Sequence, residues 1–198
     1  MKPLHLSRPH VIAMVGIPGS GKSFFAEHFA ETFGAPLISL SRLRADLFSS
    51  PAFSPSEKIV LDKISDYILD ELLKTGQTIV FDASTDARGE RQELARKARA
   101  AGYEPLFVWV QTESAAAKAR ATGISKSKPF SLTSEQFDNA LRRFVPPNET
   151  ERPVVVSGKH TYASQLKIVL SRLVVDRTSP DAPKRDSRTV PGNRIAIR

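Results

Sequence analysis

The chain contains no cysteine. This absence excludes a disulfide framework, thiol catalysis and a metal site built on thiolates. Histidine is also scarce, and the four residues are scattered along the sequence rather than clustered at metal-ligand spacing. The sequence therefore offers neither a thiolate-based nor a histidine-based metal site.

Long apolar runs are missing as well. No stretch approaches the roughly 20 residues that a membrane helix needs, and residues 1–10 lack the apolar stretch of a signal peptide. With 40% hydrophobic and 25% charged residues over 198 positions, the composition is that of a globular protein with a single core. We therefore expect a cytoplasmic protein with no membrane partner.

Acidic residues are fewer than basic ones, 21 against 29, which gives a formal net charge of +8. This excess favours polyanionic partners, either nucleic acid or highly phosphorylated small molecules. Six basic and two acidic residues lie within 177–198, so half of the net charge belongs to this final stretch. Because the stretch is rich in Pro, Ser, Asp and Arg without periodicity, we expect a basic and flexible C-terminal tail.

The clearest positive signal is the segment Gly16-Ile17-Pro18-Gly19-Ser20-Gly21-Lys22-Ser23, which matches the phosphate-binding pattern G-x-x-x-x-G-K-[ST]. It lies between an apolar strand pattern and an amphipathic helix pattern, as such a loop requires. The glycines allow successive backbone N–H groups to converge on an anion at the helix N-terminus. Lys22 would contact the β- and γ-phosphates, and the Ser23 hydroxyl would bind Mg²⁺. The alternative is a glycine-rich turn followed by Lys-Ser by chance.

Strand and helix patterns alternate along the rest of the chain. Apolar runs predict strands at 11–15, 37–40, 78–81, 105–110 and 154–156. Periodic segments predict helices at 24–30, 41–48, 56–74, 86–101, 114–121, 133–144 and 163–174. The helix at 56–74 is expected to start with Ser56 as its N-cap and to bury Val60, Ile64, Tyr67, Ile68 and Leu72. The alternation predicts an α/β protein whose five-stranded parallel sheet carries helices on both faces.

Asp82 follows the third predicted strand directly. Strand ends in a parallel sheet meet at one edge, so its carboxylate is expected beside the phosphate loop, where it can orient Mg²⁺ or a water bound to it. The alternative role for Asp82 is that of N-cap for the next helix.

Three arginines are candidates for contacts with anions. Arg88 and Arg91 lie three residues apart and therefore on one helix face, near a helix N-terminus that disfavours cations unless an anion is close. Their alternative partners are the neighbouring acidic residues. Arg120 precedes the loop 123–129, where a closing segment could bring its guanidinium over the phosphates, and the alternative is a solvated helix-end cation. For Lys126 and Lys128 we expect solvated positions.

Together these residues resemble the P-loop kinases related to phage polynucleotide 5′-hydroxyl kinase, a group that includes zeta-toxin-like and chloramphenicol phosphotransferase-like enzymes. Three segments besides the phosphate loop carry the resemblance. They are Asp82-Ala83-Ser84-Thr85 with the trailing Arg88 and Arg91, the lid-like Arg120, and Phe144-Val145-Pro146-Pro147-Asn148-Glu149. The resemblance covers about 11–173 and implies a P-loop NTPase fold over 1–176 with a kinase-like lid at about 113–132.

The resemblance also implies roles for individual residues. Lys22, Ser23, Asp82 and Arg120 would handle ATP and Mg²⁺, and the turn after the second strand would hold the acceptor. Relatives usually carry Asp-x-x-Arg there, with the Asp as general base. This sequence keeps the arginine as Arg44 but has Ser41 at the carboxylate position. Asp46 is then the nearby carboxylate that could serve as a surrogate base.

Three functions fit these patterns. The first is an ATP-dependent phosphotransferase acting on a hydroxyl, with a nucleic-acid 5′ end favoured by the positive charge. The second is a small-molecule kinase in which the basic tail has no role in catalysis. The third is a non-catalytic ATP-binding regulatory module, which the serine at position 41 suggests.

Overall fold

The computed structural model describes residues 6–124 and 130–178. One sheet contains the strands β1 (His10–Val15), β2 (Leu37–Ser39), β3 (Ile79–Asp82), β4 (Glu104–Gln111) and β5 (Val154–Ser157). Their order is β2-β3-β1-β4-β5, and all neighbours pair in parallel. The predicted five-stranded parallel α/β sheet is confirmed.

Helices connect these strands and cover the sheet. They are α1 (Lys22–Phe33), α2 (Leu40–Leu47), α3 (Pro55–Leu73), α4 (Arg88–Ala100), α5 (Ser114–Thr122), α6 (Ser134–Arg143) and α7 (Tyr162–Thr178). Helix α7 extends through Thr178, so the first two residues of the predicted tail are helical, and 179–198 lie outside the described residues. None of the helices in the described ranges is long and apolar enough to cross a membrane.

The central strand β1 is buried along its whole length. Its side chains alternate between two cores because successive residues of a strand point to opposite faces. Ile12 and Met14 pack with Phe29 of α1 on one face, whereas Val11 packs with Leu69 of α3 on the other. The two-sided burial explains why this strand reads as a continuous apolar run.

Helix α3 differs from its prediction at its start and in its buried face. Ser54 is the N-cap instead of Ser56, since its side chain accepts a hydrogen bond from the Glu57 amide at 3.2 Å. The residues predicted to be buried are partly exposed to solvent, since the exposed fraction is 44% for Val60 and 68% for Tyr67. The helix carries apolar residues on two faces, and packing against the sheet selects one of them. The buried apolar residues are Leu61, Leu69 and Leu73.

Arg91, expected at the substrate site, lies instead in the interior of the fold. Its side chain is fully buried and binds both carboxylate oxygens of Glu151, at 2.6 and 3.2 Å. The same guanidinium donates to the backbone oxygens of Thr85, Asp86 and Val145 at 2.9, 3.3 and 3.0 Å. Pairing with a neighbouring acidic residue is also wrong, since Glu151 lies 60 positions away. Arg91 therefore ties the start of α4 to the segment that follows α6.

Replacing Arg91 with methionine should lower the free energy of unfolding by about 3–5 kcal/mol, because the change leaves the buried Glu151 carboxylate without its partner. Urea denaturation measures this loss. Arg96→Met on the same helix is the control, since the Arg96–Glu93 pair is exposed and should change stability little. If Arg91→Met/Glu151→Leu is no more stable than Arg91→Met, the unpaired charge is not the cause of the loss.

Candidate active site

The phosphate loop joins β1 to α1 and has a backbone conformation that depends on glycine. Gly16, Gly19 and Gly21 have φ angles of +145°, +75° and +110°, a region that side chains with a Cβ disfavour. Two of these positions are also sterically closed. A Cβ on Gly16 would lie 2.6 Å from the Val110 carbonyl oxygen, and a Cβ on Gly19 would lie 2.1 Å from the Ala117 carbonyl oxygen. The loop is thus packed against β4 on one side and α5 on the other.

Lys22 is the first residue of α1 and turns back over the loop. Its ammonium donates to the carbonyl oxygen of Gly16 and to that of Ile17 at 3.2 Å. Its charge also opposes the burial that raises the pKa values of Asp82 and Asp86. One cation therefore binds the loop carbonyls and interacts electrostatically with two carboxylates at the same edge of the sheet.

Ser23 and Asp82 bring together the two halves of the predicted metal site. The Ser23 hydroxyl donates to the Asp82 carboxylate at 2.6 Å. Burial raises the pKa of Asp82, while Lys22 and the Ser23 hydrogen bond lower it. The alternative role of Asp82 as a helix N-cap is wrong, because the N-cap of α4 is Ala87.

Arg120 lies at the rim of the phosphate loop, near the end of α5. Its guanidinium donates to the Gly158 carbonyl oxygen at 3.1 Å. A Cβ on Gly158 would lie 2.1 Å from both the Ser20 carbonyl oxygen and the Thr112 hydroxyl, and that hydroxyl donates to Ser20 O at 2.9 Å. The sequence reading missed Gly158 and Thr112, since neither belongs to a local motif.

The predicted acceptor side, at the start of α2, presents hydroxyl groups where relatives are expected to have a carboxylate. The Ser41 and Ser39 hydroxyls lie 3.0 Å apart, and the Ser39 side chain caps α2. The role of Asp46 as a surrogate base for Ser41 stays a prediction. Asp46 is exposed, and it follows the inward-facing Arg44 by two residues, which is more than half a helical turn.

Arg44 points inward, where it packs against two aromatic rings. Its guanidinium carbon lies 4.5 Å from the Phe53 ring centre and 5.9 Å from that of Phe130, and the two rings meet edge to face at 5.0 Å. Burial lowers the pKa of Arg44, whereas Glu57 and Asp62 raise it. Since Phe53 follows α2 and Phe130 precedes α6, this contact joins the acceptor side to the predicted lid.

Glu57 supports this arrangement from the first turn of α3. Its carboxylate accepts hydrogen bonds from the amides of Ala52 and Phe53 at 2.6 and 2.8 Å, and it lies 3.8 Å from the Arg44 guanidinium. Phe53 is thereby held at a positive φ of 55°. No sequence motif predicted that Glu57, Phe53 and Phe130 would lie at this site, because their contacts depend on how separate elements pack.

The remaining candidates are less central. Arg88 is exposed at the start of α4, close enough to Glu151 for its charge to help lower the pKa of that carboxylate. Its proposed contact with a substrate stays a prediction. The predicted solvated residues Lys126 and Lys128 lie outside the described residues.

Comparison with known proteins places this geometry among P-loop proteins. A family model described as an AAA domain matches residues 11–147. Protein KTI12 homolog from Arabidopsis thaliana is 26% identical over 178 residues, covering 86% of this chain and 56% of that protein. The chain thus spans little more than half the length of this curated relative.

Solved structures agree in fold at low sequence identity. A Kti12 from Chaetomium thermophilum in complex with ADP-AlF3 has a TM-score of 0.64 at 17% identity, with 85% of this chain and 99% of that chain covered. A gluconokinase from Sinorhizobium meliloti 1021 has a TM-score of 0.59 at 20% identity, with 85% and 94% covered. The chain therefore has a P-loop kinase-like fold, as predicted.

Gly19→Ala should destabilise the protein more than Gly34→Ala does. Both glycines have a positive φ, which costs a residue with a Cβ about 1–2 kcal/mol. At Gly34 no atom lies within 4 Å of the added carbon, whereas at Gly19 the carbon lies 2.1 Å from the α5 backbone and must displace it. Thermal and urea unfolding measure the difference. Equal losses in the two variants would contradict the close packing of α5 on the loop.

Proposed function

Because the chain belongs to the AAA-domain family of P-loop kinase-like proteins, we propose that it transfers the γ-phosphoryl group of ATP to a hydroxyl acceptor. The observation that carries this proposal is the 2.6 Å hydrogen bond between Ser23 and Asp82 beside Lys22. It unites the hydroxyl, carboxylate and ammonium that handle a nucleotide triphosphate in P-loop enzymes.

The residues at the loop fit both ATP and Mg²⁺. The buried Ser20 hydroxyl has no hydrogen-bond partner within the described part of the chain, as expected of a group that awaits a phosphate oxygen. Ser23 and Asp82 offer the hard oxygen ligands that Mg²⁺ prefers. No cluster of three or more acidic or histidine side chains able to hold a metal occurs in the described ranges, so phosphate oxygens would complete the coordination. When bound, Mg²⁺ would neutralise charge on those oxygens.

The protein's own groups would act mainly by positioning and charge. The loop amides bind phosphate at the N-terminus of α1, and Lys22 exchanges its loop carbonyls for phosphate oxygens. Arg120 at the rim stabilises the negative charge that develops on the transferred group. The buried sheet edge holds these groups in fixed positions, so little reorganisation precedes the reaction.

A nucleic-acid 5′-hydroxyl is the acceptor that the charge favours. The net charge is +8, and Arg42 at the start of α2 has an exposed side chain that could exchange its Glu27 partner for a phosphate group of a strand. A screen with labelled ATP against 5′-hydroxyl oligonucleotides, nucleosides and sugars tests this proposal. Affinity for a strand should fall with salt by about 0.7–0.9 in logarithmic slope for each phosphate contacted. A salt-insensitive affinity would favour a small uncharged acceptor, as in a sugar kinase.

A nucleotide-dependent binding module is the second candidate, favoured by Ser41 and by a cleft of about 630 Å³ beside the loop. The cleft includes Ile17 of the phosphate loop and apolar residues of β4 and α6, so a partner bound there would contact the nucleotide site. ATP binding without phosphotransfer to any acceptor would support this function over the first.

ATP with Mg²⁺ should raise the melting temperature, since ligand at 100 times its dissociation constant adds about 2.7 kcal/mol. Lys22→Ala should remove most of this shift because the phosphates lose their cation. Lys97→Ala is the matched control, since Lys97 pairs with Asp66 and Asp70 on the outer helices. Thermal scanning with and without nucleotide checks the prediction. An unchanged shift in Lys22→Ala would place the nucleotide elsewhere.

Arg120→Ala should lower kcat by about 10³-fold or more while the affinity for ATP changes little, because a lid arginine acts chiefly in the transition state. Arg120→Lys should recover only part of the loss, since an ammonium lacks the planar fork of a guanidinium. Steady-state kinetics combined with nucleotide titration separates the two effects. Equal losses in turnover and affinity would make Arg120 an ordinary ATP-binding residue.

A further inference from the structure

The phosphate loop is held by a side chain that lies outside it. Thr112, which follows β4 directly, donates its hydroxyl to the Ser20 carbonyl oxygen at 2.9 Å. We propose that Thr112 is a positioning residue for nucleotide binding, a role that rests on the proposed function but not on its transfer step. The hydrogen bond turns the following loop amide, that of Gly21, toward the phosphates.

The loop does not select its conformation by itself, because glycines flank Ser20 on both sides. Gly19 and Gly21 have φ angles of +75° and +110°, and glycine populates positive and negative φ about equally well. The Ser20 amide is held within the loop, since it donates to the Ile17 carbonyl oxygen at 3.1 Å. No backbone amide of the described residues donates to the Ser20 carbonyl oxygen. The orientation of the peptide after Ser20 therefore depends on a side chain.

The planarity of the peptide group links the Thr112 hydroxyl to the phosphate site. The peptide between Ser20 and Gly21 is trans, so its C=O and N–H lie in one plane and point in opposite directions. A Ser20 carbonyl that points to Thr112 directs the Gly21 N–H away from Thr112. Gly21 is the N-cap of α1, where backbone amides bind phosphate. In the described part of the chain this amide has no protein acceptor, so it is available for a phosphate oxygen.

Thr112 is itself fixed by the two strands at this edge of the sheet. Gln111 ends β4 and pairs with Ser157 of β5, and the Gly158 amide extends this ladder by donating to the Gln111 carbonyl oxygen at 2.8 Å. Gly158 also closes over the hydrogen bond, since a Cβ there would lie 2.1 Å from both the Thr112 hydroxyl and the Ser20 carbonyl oxygen. A hydrogen bond shielded from water is stronger than an exposed one.

The other polar side chains around the loop hold different atoms. The Lys22 ammonium binds carbonyl oxygens at the start of the loop, and Arg120 binds the turn after β5. Among the hydrogen bonds of the described residues, that of Thr112 is the one side-chain contact to the peptide between Ser20 and Gly21. Removing this hydroxyl therefore frees the peptide without removing a charge from the site.

Thr112→Val removes the hydroxyl and keeps the branched shape. The dissociation constants of ADP and of inorganic pyrophosphate, each with Mg²⁺, should both rise roughly tenfold, the equivalent of about one hydrogen bond, because both ligands fill the loop. Thr112→Ser keeps the hydroxyl and should bind both ligands within about twofold of the wild type. Isothermal titration calorimetry well below the melting temperature measures these constants.

The matched control is Thr75→Val. It removes a hydroxyl that donates to the Leu72 carbonyl oxygen at 2.7 Å, at the end of α3, and should change neither constant. Thr112→Ala is the second test variant, since it removes the hydroxyl without placing a methyl group against Gly158. It should weaken binding as Thr112→Val does.

A purely structural role of Thr112 gives different results. If the variants lower the free energy of unfolding but the folded protein binds ADP with wild-type affinity, the positioning role is overturned. It is also overturned if ADP binding weakens and pyrophosphate binding does not, since Thr112 would then act on the nucleoside. Binding by Thr112→Ser as weak as that of Thr112→Val overturns it as well.

Steady-state kinetics separates this role from that of Arg120. The loop holds the phosphates in the ground state and in the transition state alike, so Thr112→Val should raise KM for ATP while kcat changes little. A loss in kcat at unchanged KM would contradict the positioning role.

Failure of the proposed function has its own signature. If the wild type binds ADP but transfers no phosphoryl group, phosphotransfer is excluded and the titrations still decide the role of Thr112. If the wild type binds neither ADP nor pyrophosphate, the nucleotide site is overturned together with that role.

Discussion

The close packing of three backbone segments around the phosphate loop is the constraint on which the site depends. Gly19 lies against the α5 backbone, and Gly158 lies against the loop carbonyl of Ser20. No side chain fits between these segments, so the strand ends and α5 hold the loop in one conformation. The loop conformation fixes the positions of Lys22 and Ser23, because these are the first two residues of α1, which follows the loop directly.

A second constraint acts through the buried guanidinium of Arg91. A buried charge is costly unless it is paired and hydrogen-bonded, and Arg91 meets both conditions through Glu151 and three backbone oxygens. These partners come from the segment after β3 and from the segment after α6. The same contacts that stabilise the fold therefore fix the turn that carries Asp86.

The predicted acceptor side is held by a different kind of contact from the phosphate loop. Around the phosphate loop the close contacts involve backbone atoms. Arg44, in contrast, is held by side chains, namely the rings of Phe53 and Phe130 and the carboxylate of Glu57. Side chains adapt to a ligand more readily than a packed backbone does. The Phe53–Phe130 contact also connects the segment after α2 to the segment before α6.

The sequence by itself determined the sheet, the phosphate loop and the place of Asp82, because these depend on local patterns: apolar runs, glycine spacing and the residue at a strand end. Only the tertiary structure decided which face of α3 is buried, since Val60 and Leu61 lie on two apolar stripes of the same helix. Only the tertiary structure also showed that Arg91, predicted at the substrate site, lies in the core. Charge partners such as Glu151 lie far away in sequence, and no local spacing specifies which distant carboxylate a buried guanidinium will meet.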